Sequence, residues 1–322
     1  MAGGFKIHNT VVHRGEYANI SIPIAQLPIR TPVTLSVSIY RGVKPGPTIL
    51  LMGGIHGDEL TGVEVVRRMI AEKRLNPDAG TIIAIPVVNM FGFLHKSREF
   101  PDGRDLNRSF PGSKDGPLAS QVAYVIMHTI MPHVDVAIDF HSGGGRRYNT
   151  PQIRCHIENP EELELARVFG ARYVLFSNYR EKSFRERASK MGKRVLVYEG
   201  GESLRFENEP IQSAIDGTMR VLDYLGIQPL KELESMPLSI TLTSSNWIRA
   251  KISGLFRSYY NHGEHVVKGQ VLGSISDPYG DHEVTVKAQF DGFIIGQNRL
   301  PLVNKGDALF HIGTKKNLDS LP

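Results

Sequence analysis

The chain has 322 residues, enough for two domains, and its apolar (41%) and charged (22%) shares lie near the globular norm, which excludes disordered and fibrous classes. The formal net charge of +5 is carried by Lys and Arg scattered along the chain without a long basic block, a pattern that favours small anionic partners over nucleic acid. A single cysteine, Cys155, excludes an intrachain disulfide; the amino end lacks a charged start ahead of an apolar core, and no apolar run approaches ~18 residues, so neither export nor a membrane is expected and the cytoplasm is the expected location.

Residues 1–47 alternate apolar and polar positions, as in Val33-Thr34-Leu35-Ser36-Val37-Ser38-Ile39-Tyr40, the period of half-exposed strands, and are expected to edge the main sheet. Ile49-Leu50-Leu51-Met52 reads as a buried strand that stops in Gly53-Gly54 and then presents His56 and Glu59. Glycines let the backbone bend sharply there, bringing an imidazole and a carboxylate to one point at the strand's carboxyl end. Such donors suit a borderline-soft cation such as zinc, although a catalytic zinc needs a third ligand. Asp58 reads as a turn residue. Thr61 to Arg74 has helical spacing, and Ile82 to Val88 is a second apolar run ending in Asn89, so that strand, helix and strand form a βαβ unit with parallel strands.

The stretch Arg98 to Gly112 is rich in arginine and turn formers. Arginine grips carboxylates with a planar fork, so Asn107 and Arg108 suit a substrate carboxylate, while Arg98 or Arg104 suits polarisation of a carbonyl oxygen. Leu118 to Met131 reads as a helix closed by Pro132, and Val134 to Phe140 as a strand ending in His141, the candidate third ligand. Asp139, on the same strand face, is placed to fix an imidazole tautomer. Helices follow at Pro160 to Phe169, Ser183 to Met191 and Pro210 to Leu225, alternating with strands at Tyr173 to Phe176 and Val195 to Tyr198. Glu199 ends the last strand, where a carboxylate can take a proton from an activated water and pass it to a departing amine. Glu202, beyond a glycine pair, is expected to face solvent. Arg146, Arg147, Tyr148, Asn149, Arg180 and Arg185 lie in loops that could line a pocket.

This alternation argues for an α/β fold, an open, largely parallel sheet with helices on both faces and ligands at the carboxyl ends of its strands. His56, Glu59, Asn89, His141 and Glu199 are expected on one rim. From about Leu230 the texture changes to short alternating strands and glycine turns, which predicts a division into residues 1–228 and an all-β domain over 229–322. With G-x-x-V-x-K-G-Q-x-L at 263–272 and a related second half from Val286 to Ile294, the latter resembles the barrel-sandwich hybrid of biotinyl and lipoyl carrier domains. Lys287 lies out of phase with the carrier lysine, so a structural cap or an oligomerisation element is expected, and a homo-oligomer with it. Cys155 is expected to pack as a small apolar residue.

With H-x-x-E at His56 and Glu59, D-L-N-R at 105–108, D-x-H-x-G at 139–143 and Y-E-G at 198–200, residues 45–225 resemble the succinylglutamate desuccinylase/aspartoacylase family, zinc-dependent amidohydrolases related to the zinc carboxypeptidases. The resemblance implies a mixed carboxypeptidase-like sheet and one zinc per chain on His56, Glu59 and His141. It further implies Glu199 as base, Asn107 and Arg108 on the substrate carboxylate, and Arg98 as the upstream arginine. The carboxyl half is more similar to bacterial deacylases of modified diamino acids than to aspartoacylase. The expected activity is hydrolysis of the amide of an N-acyl amino acid or small acylated amine bearing a carboxylate. Two other readings stay open: a zinc carboxypeptidase acting on short peptides, and a non-catalytic binding or carrier protein.

Overall fold

Four parallel strands carry the polar ends that the sequence singles out. In the computed structural model, which describes residues 4–156, 158–230 and 238–315, the strand Lys44–Gly53 lies between Ala79–Ile85 and Val136–Gly143. Arg194–Glu202 adds in parallel on the far side of Val136–Gly143. Successive side chains of a strand face opposite ways, and both faces here are apolar. Leu50 and Met52 enter one core with residues from Leu118–Val125 and Phe184–Lys190. Ile49 and Leu51 enter the other with residues from Leu60–Ala71, Pro160–Phe169 and Asn208–Tyr224. Helices therefore cover both faces, and the fold is α/β with a large mixed sheet.

Antiparallel strands flank this centre. Pro32–Arg41 and Tyr17–Gln26 form one edge, as their alternation predicts. On the other side Arg194–Glu202 meets Arg147–Cys155, an antiparallel strand where the sequence suggested a pocket loop. Cys155 is fully buried, and burial pushes its thiol up to about 12, as befits a packing residue. The single helix expected from Leu118 to Met131 is instead a helix to Val125, a widened turn over Ile126–Ile130 and a tight turn over Met131–His133. Asn89 begins a short helix, Met90–His95, that the sequence reading lacked. Among the described residues no helix is long and apolar enough to cross a membrane.

The carboxyl-terminal strands continue the main sheet. Gly292–Asn298 pairs with Arg147–Cys155, and Ala308–Thr314 and Ser244–Arg249 follow it. A further four-stranded sheet built on Gly254–Ser258 and Val271–Ser276 closes over a separate apolar core that includes Phe256, Leu272, Ile275 and Phe310. Residues 231–237, beside the junction expected at 229, lie outside the described residues.

Candidate active site

The turn after Lys44–Gly53 sets the first two candidate ligands. Gly54 takes φ +66°, a left-handed conformation that glycine adopts freely. At Gly57 a Cβ would lie 1.9 Å from the backbone carbon of Gly92, so only glycine lets the two segments meet. Glu59 then occupies the N-cap position of Leu60–Ala71 without capping it, which leaves its carboxylate to the site. His141 extends from the neighbouring strand, and the parallel register sets Glu199 beside it.

One ligand atom from each of His56, Glu59 and His141 falls within a set of atoms no more than 4.8 Å apart, and all three residues are buried. His56 Nδ1 lies 2.8 Å from Glu59 Oε1 and His141 Nδ1 lies 2.8 Å from Glu59 Oε2. Each ring is anchored from behind: His56 Nε2 donates to Asp105 Oδ1 at 3.2 Å and His141 Nε2 donates to Asp139 Oδ2 at 2.8 Å. That tautomer turns both Nδ1 atoms toward the common point, the arrangement typical of imidazole ligands with carboxylate partners. His56 Nδ1 is buried and, despite its proximity to Glu59, has no hydrogen-bond partner of proper geometry. A cation would satisfy it.

The electrostatics agree. Burial pushes the Glu59 carboxyl up, but the charges and hydrogen bonds of His56 and His141 more than offset it and hold the group well below its usual range. Burial likewise pushes the imidazoles down, and Glu59 with Asp105 raises His56 while Asp139 with Glu59 raises His141. Asp105 is also raised by burial, yet His56 and then Arg98 hold it well below the carboxylate range. The cluster collects positive charge about one buried carboxylate, which is what a divalent cation provides.

Arg98 donates to Glu59 Oε1 at 3.1 Å and to Asp105 Oδ2 at 2.9 Å, so it braces the cluster as well as lining the cleft. Arg104 pairs instead with Asp102 at 2.7 Å and is not among the cleft's lining residues. Asn107 Oδ1 accepts from Phe184 N at 2.9 Å, fixing the amide, and both Asn107 and Arg108 line the cleft. Glu199 accepts from Asn149 Nδ2 at 2.8 Å and meets Arg154 at 3.3 Å. Asn89, expected on the rim, is fully buried: its side chain accepts from Gly92 N at 2.8 Å as a helix cap. Glu202 does not face solvent. It is buried because the sheet continues past it, and it pairs with Arg299 at 3.4 Å. Arg147, Asn149, Arg180 and Arg185 line the cleft, whereas Arg146 and Tyr148 do not; Tyr148 packs against His262 instead.

The cleft has a volume of about 710 Å³. Ser245, Trp247 and His311, from the carboxyl-terminal strands, also line it. The sequence reading missed them because strand pairing, with Trp247 opposite His311, creates the group from residues with no shared motif. The only local signal was that Trp247 is the sole tryptophan. Its ring stacks on His311 at 4.4 Å and 8°. Burial, with Arg154 and Arg147 nearby, pushes the His311 imidazole down to about 3, so it is neutral near pH 7.

Comparison with known proteins places these features among relatives. The family description "Succinylglutamate desuccinylase/Aspartoacylase catalytic domain" matches residues 45–225. The N-alpha-acetyl-L-2,4-diaminobutyric acid deacetylase of Halomonas elongata is 30% identical, over 87% of this chain and 84% of the relative. A product-bound structure of the ectoine utilization protein EutE (DoeB) from Ruegeria pomeroyi superposes with a TM-score of 0.84 at 26% identity, covering 94% of this chain and 97% of that one. A succinylglutamate desuccinylase/aspartoacylase structure from Rhodobacter sphaeroides gives 0.83 at 24% identity, covering 97% and 99%, a likeness of fold.

Proposed function

The chain belongs to the succinylglutamate desuccinylase/aspartoacylase family, and from that premise we propose that it is a zinc-dependent deacylase hydrolysing the amide bond of an N-acyl amino acid or small acylated amine. The observation that carries this reading is the convergence of His56, Glu59 and His141 in a cleft where Glu199 sits beside His141. A diamino-acid deacetylase among its relatives supports an N-acylated amino acid as substrate.

His56 Nδ1, His141 Nδ1 and a Glu59 oxygen would hold the metal, with Asp105 and Asp139 fixing the rings. A bound zinc polarises a carbonyl and lowers the pKa of water toward ~7. Glu199 takes the proton of the attacking water and returns it to the departing amine nitrogen, held in position by Asn149 and Arg154. Asn107 and Arg108 bind the substrate carboxylate. Arg98, fixed by Glu59 and Asp105, lends its charge to the developing oxyanion.

Trp247 and His311 supply part of the cleft wall. The test is a panel of N-acyl amino acids and short peptides, run on purified protein before and after a chelator and again with zinc restored. Hydrolysis of the acyl amino acids, lost on chelation and recovered with zinc, is the expected result. Cleavage confined to peptides, or activity indifferent to the chelator, would overturn it.

A further inference from the structure

Two open strand edges border one groove in the carboxyl-terminal region. Glu283–Lys287 is the last strand of the four-stranded sheet and, among the described residues, pairs only with Val271–Ser276. Ser244–Arg249 ends the main sheet and pairs only with Ala308–Thr314. Residues of both strands line a groove of about 340 Å³ that shares none of its lining with the cleft. Its walls are apolar at Ile248, Val284 and Val286, the exposed Arg249, Lys251 and Lys287 add three positive charges, and no carboxylate lines it.

An open edge presents unpaired N–H and C=O groups, which proteins commonly protect with proline, a bulge in the edge strand or an inward-pointing charge. Glu283–Lys287 has none of these. Its sequence Glu-Val-Thr-Val-Lys contains no proline, and the irregularity in its ladder places the extra residue, Leu272, on the neighbouring strand. Its side chains alternate cleanly: Glu283, Thr285 and Lys287 are exposed, while Val284 and Val286 turn inward. Its two charges are of opposite sign and sit at opposite ends. Neither Glu283 nor Lys287 forms an ion pair within the chain among the described residues.

Such a strand is complementary to itself. An antiparallel copy centred on Thr285 sets Glu283 opposite Lys287 twice, Val284 opposite Val286 on the inner face, and Thr285 opposite its own equivalent. A slip by two positions leaves Glu283 opposite Thr285 or Gln289, and a slip by one turns apolar side chains against polar ones. The centred register also carries Glu283 of the second copy to the basic end of the groove, where Arg249 and Lys251 stand with Lys287. We propose that the chain forms a homodimer joined edge to edge through Glu283–Lys287, with a two-fold axis at Thr285 that makes one eight-stranded sheet of two four-stranded ones. The dimer is independent of the deacylase reading, because no residue of this strand lines the cleft.

The test follows the mass of the full chain by sedimentation equilibrium and light scattering across a dilution series. Wild type should be a dimer. Thr285→Lys sets two lysines against each other on the axis and should give a folded monomer, since Thr285 is exposed. Glu283→Lys or Lys287→Glu alone turns two ion pairs into two like-charge contacts and should raise the dissociation constant ~10-fold or more; the double reversal should recover most of that loss. Directly opposed residues of antiparallel strands have Cα atoms about 4.5–5.5 Å apart, within reach of a disulfide. Thr285→Cys should therefore lock the dimer covalently under a mild oxidant, while Gln289→Cys, off the axis, should not, and the native Cys155 is buried and takes no part. Circular dichroism checks that each variant is folded. A monomeric wild type would overturn the dimer, even one whose groove takes up a synthetic acidic peptide. So would a dimer that survives Thr285→Lys, that Thr285→Cys fails to lock, or in which the double reversal is no better than either single change.

Discussion

Asp105 and Asp139 each hold one of the two imidazoles, and each accepts a hydrogen bond from the ring nitrogen that faces away from the common point. Replacing either by Asn keeps the volume but weakens the acceptor and loosens the tautomer. Zinc affinity, measured by competition with a chromophoric chelator, should fall about 10–100-fold in each variant; an unchanged affinity would show that the carboxylates do not support the ligands. His311 makes a different residue-scale prediction. Its imidazole sits at about 3 in the folded chain against 6.5 for the free group, so between those values the unfolded state binds the extra proton. Stability from this group is therefore fully present above about pH 6.5 and is lost progressively as pH falls toward 3, by up to about 1.4 kcal/mol per pH unit. Thermal midpoints of His311→Asn should decline less steeply than wild type from pH 7 to pH 5, and parallel declines would contradict the assignment. His56, Glu59, His141 and Glu199 were legible because ligand-type side chains followed apolar strands. The bracing role of Asp105 was not, since it depends on a loop folding back across 49 positions of sequence.

Arg147–Cys155 explains at the level of an element why part of the fold escaped the sequence. Its Tyr-Asn-Thr-Pro-Gln-Ile-Arg core has no apolar period. It is buried because Thr150 and Gln152 donate to the carbonyls of Ile294 and Ile295 on the incoming strand. Pro151, a poor residue for a central strand, falls where the ladder slips from Glu199↔Gln152 to Gly201↔Asn149, so the irregularity accommodates a residue without an N–H. Strand existence there is set by distant partners, whereas Ile49 to Met52 and Pro160 to Phe169 announced themselves through local pattern and end signals. Gly57 is the sharpest element-scale constraint. Gly57→Ala must push the ligand turn off the Met90–His95 helix, so urea unfolding should show a loss of about 1–3 kcal/mol with weakened zinc binding. Wild-type stability and metal content would contradict the close approach.

Across the whole molecule, one sheet runs from the amino-terminal edge through the ligand-bearing centre to the carboxyl-terminal strands. Beyond the change of texture near Leu230 the described residues hold a separate apolar core, but period-two alternation cannot say which sheet a strand will join, so the contribution of Ser245, Trp247 and His311 to the cleft was invisible. Because the sole tryptophan lies in that wall, its emission should change saturably as an N-acyl amino acid binds to the zinc-loaded protein, and a flat titration with a substrate that is turned over would place the ligand elsewhere. The central proposal concerns Glu199, the residue that would join the candidate metal-ligand cluster to a reaction. The most direct measurement is kcat together with zinc content for Glu199→Gln on an N-acyl amino acid that the wild type hydrolyses. The site as described predicts one zinc per chain retained and kcat lowered by about 10²–10⁴-fold; turnover within a few-fold of wild type would contradict it.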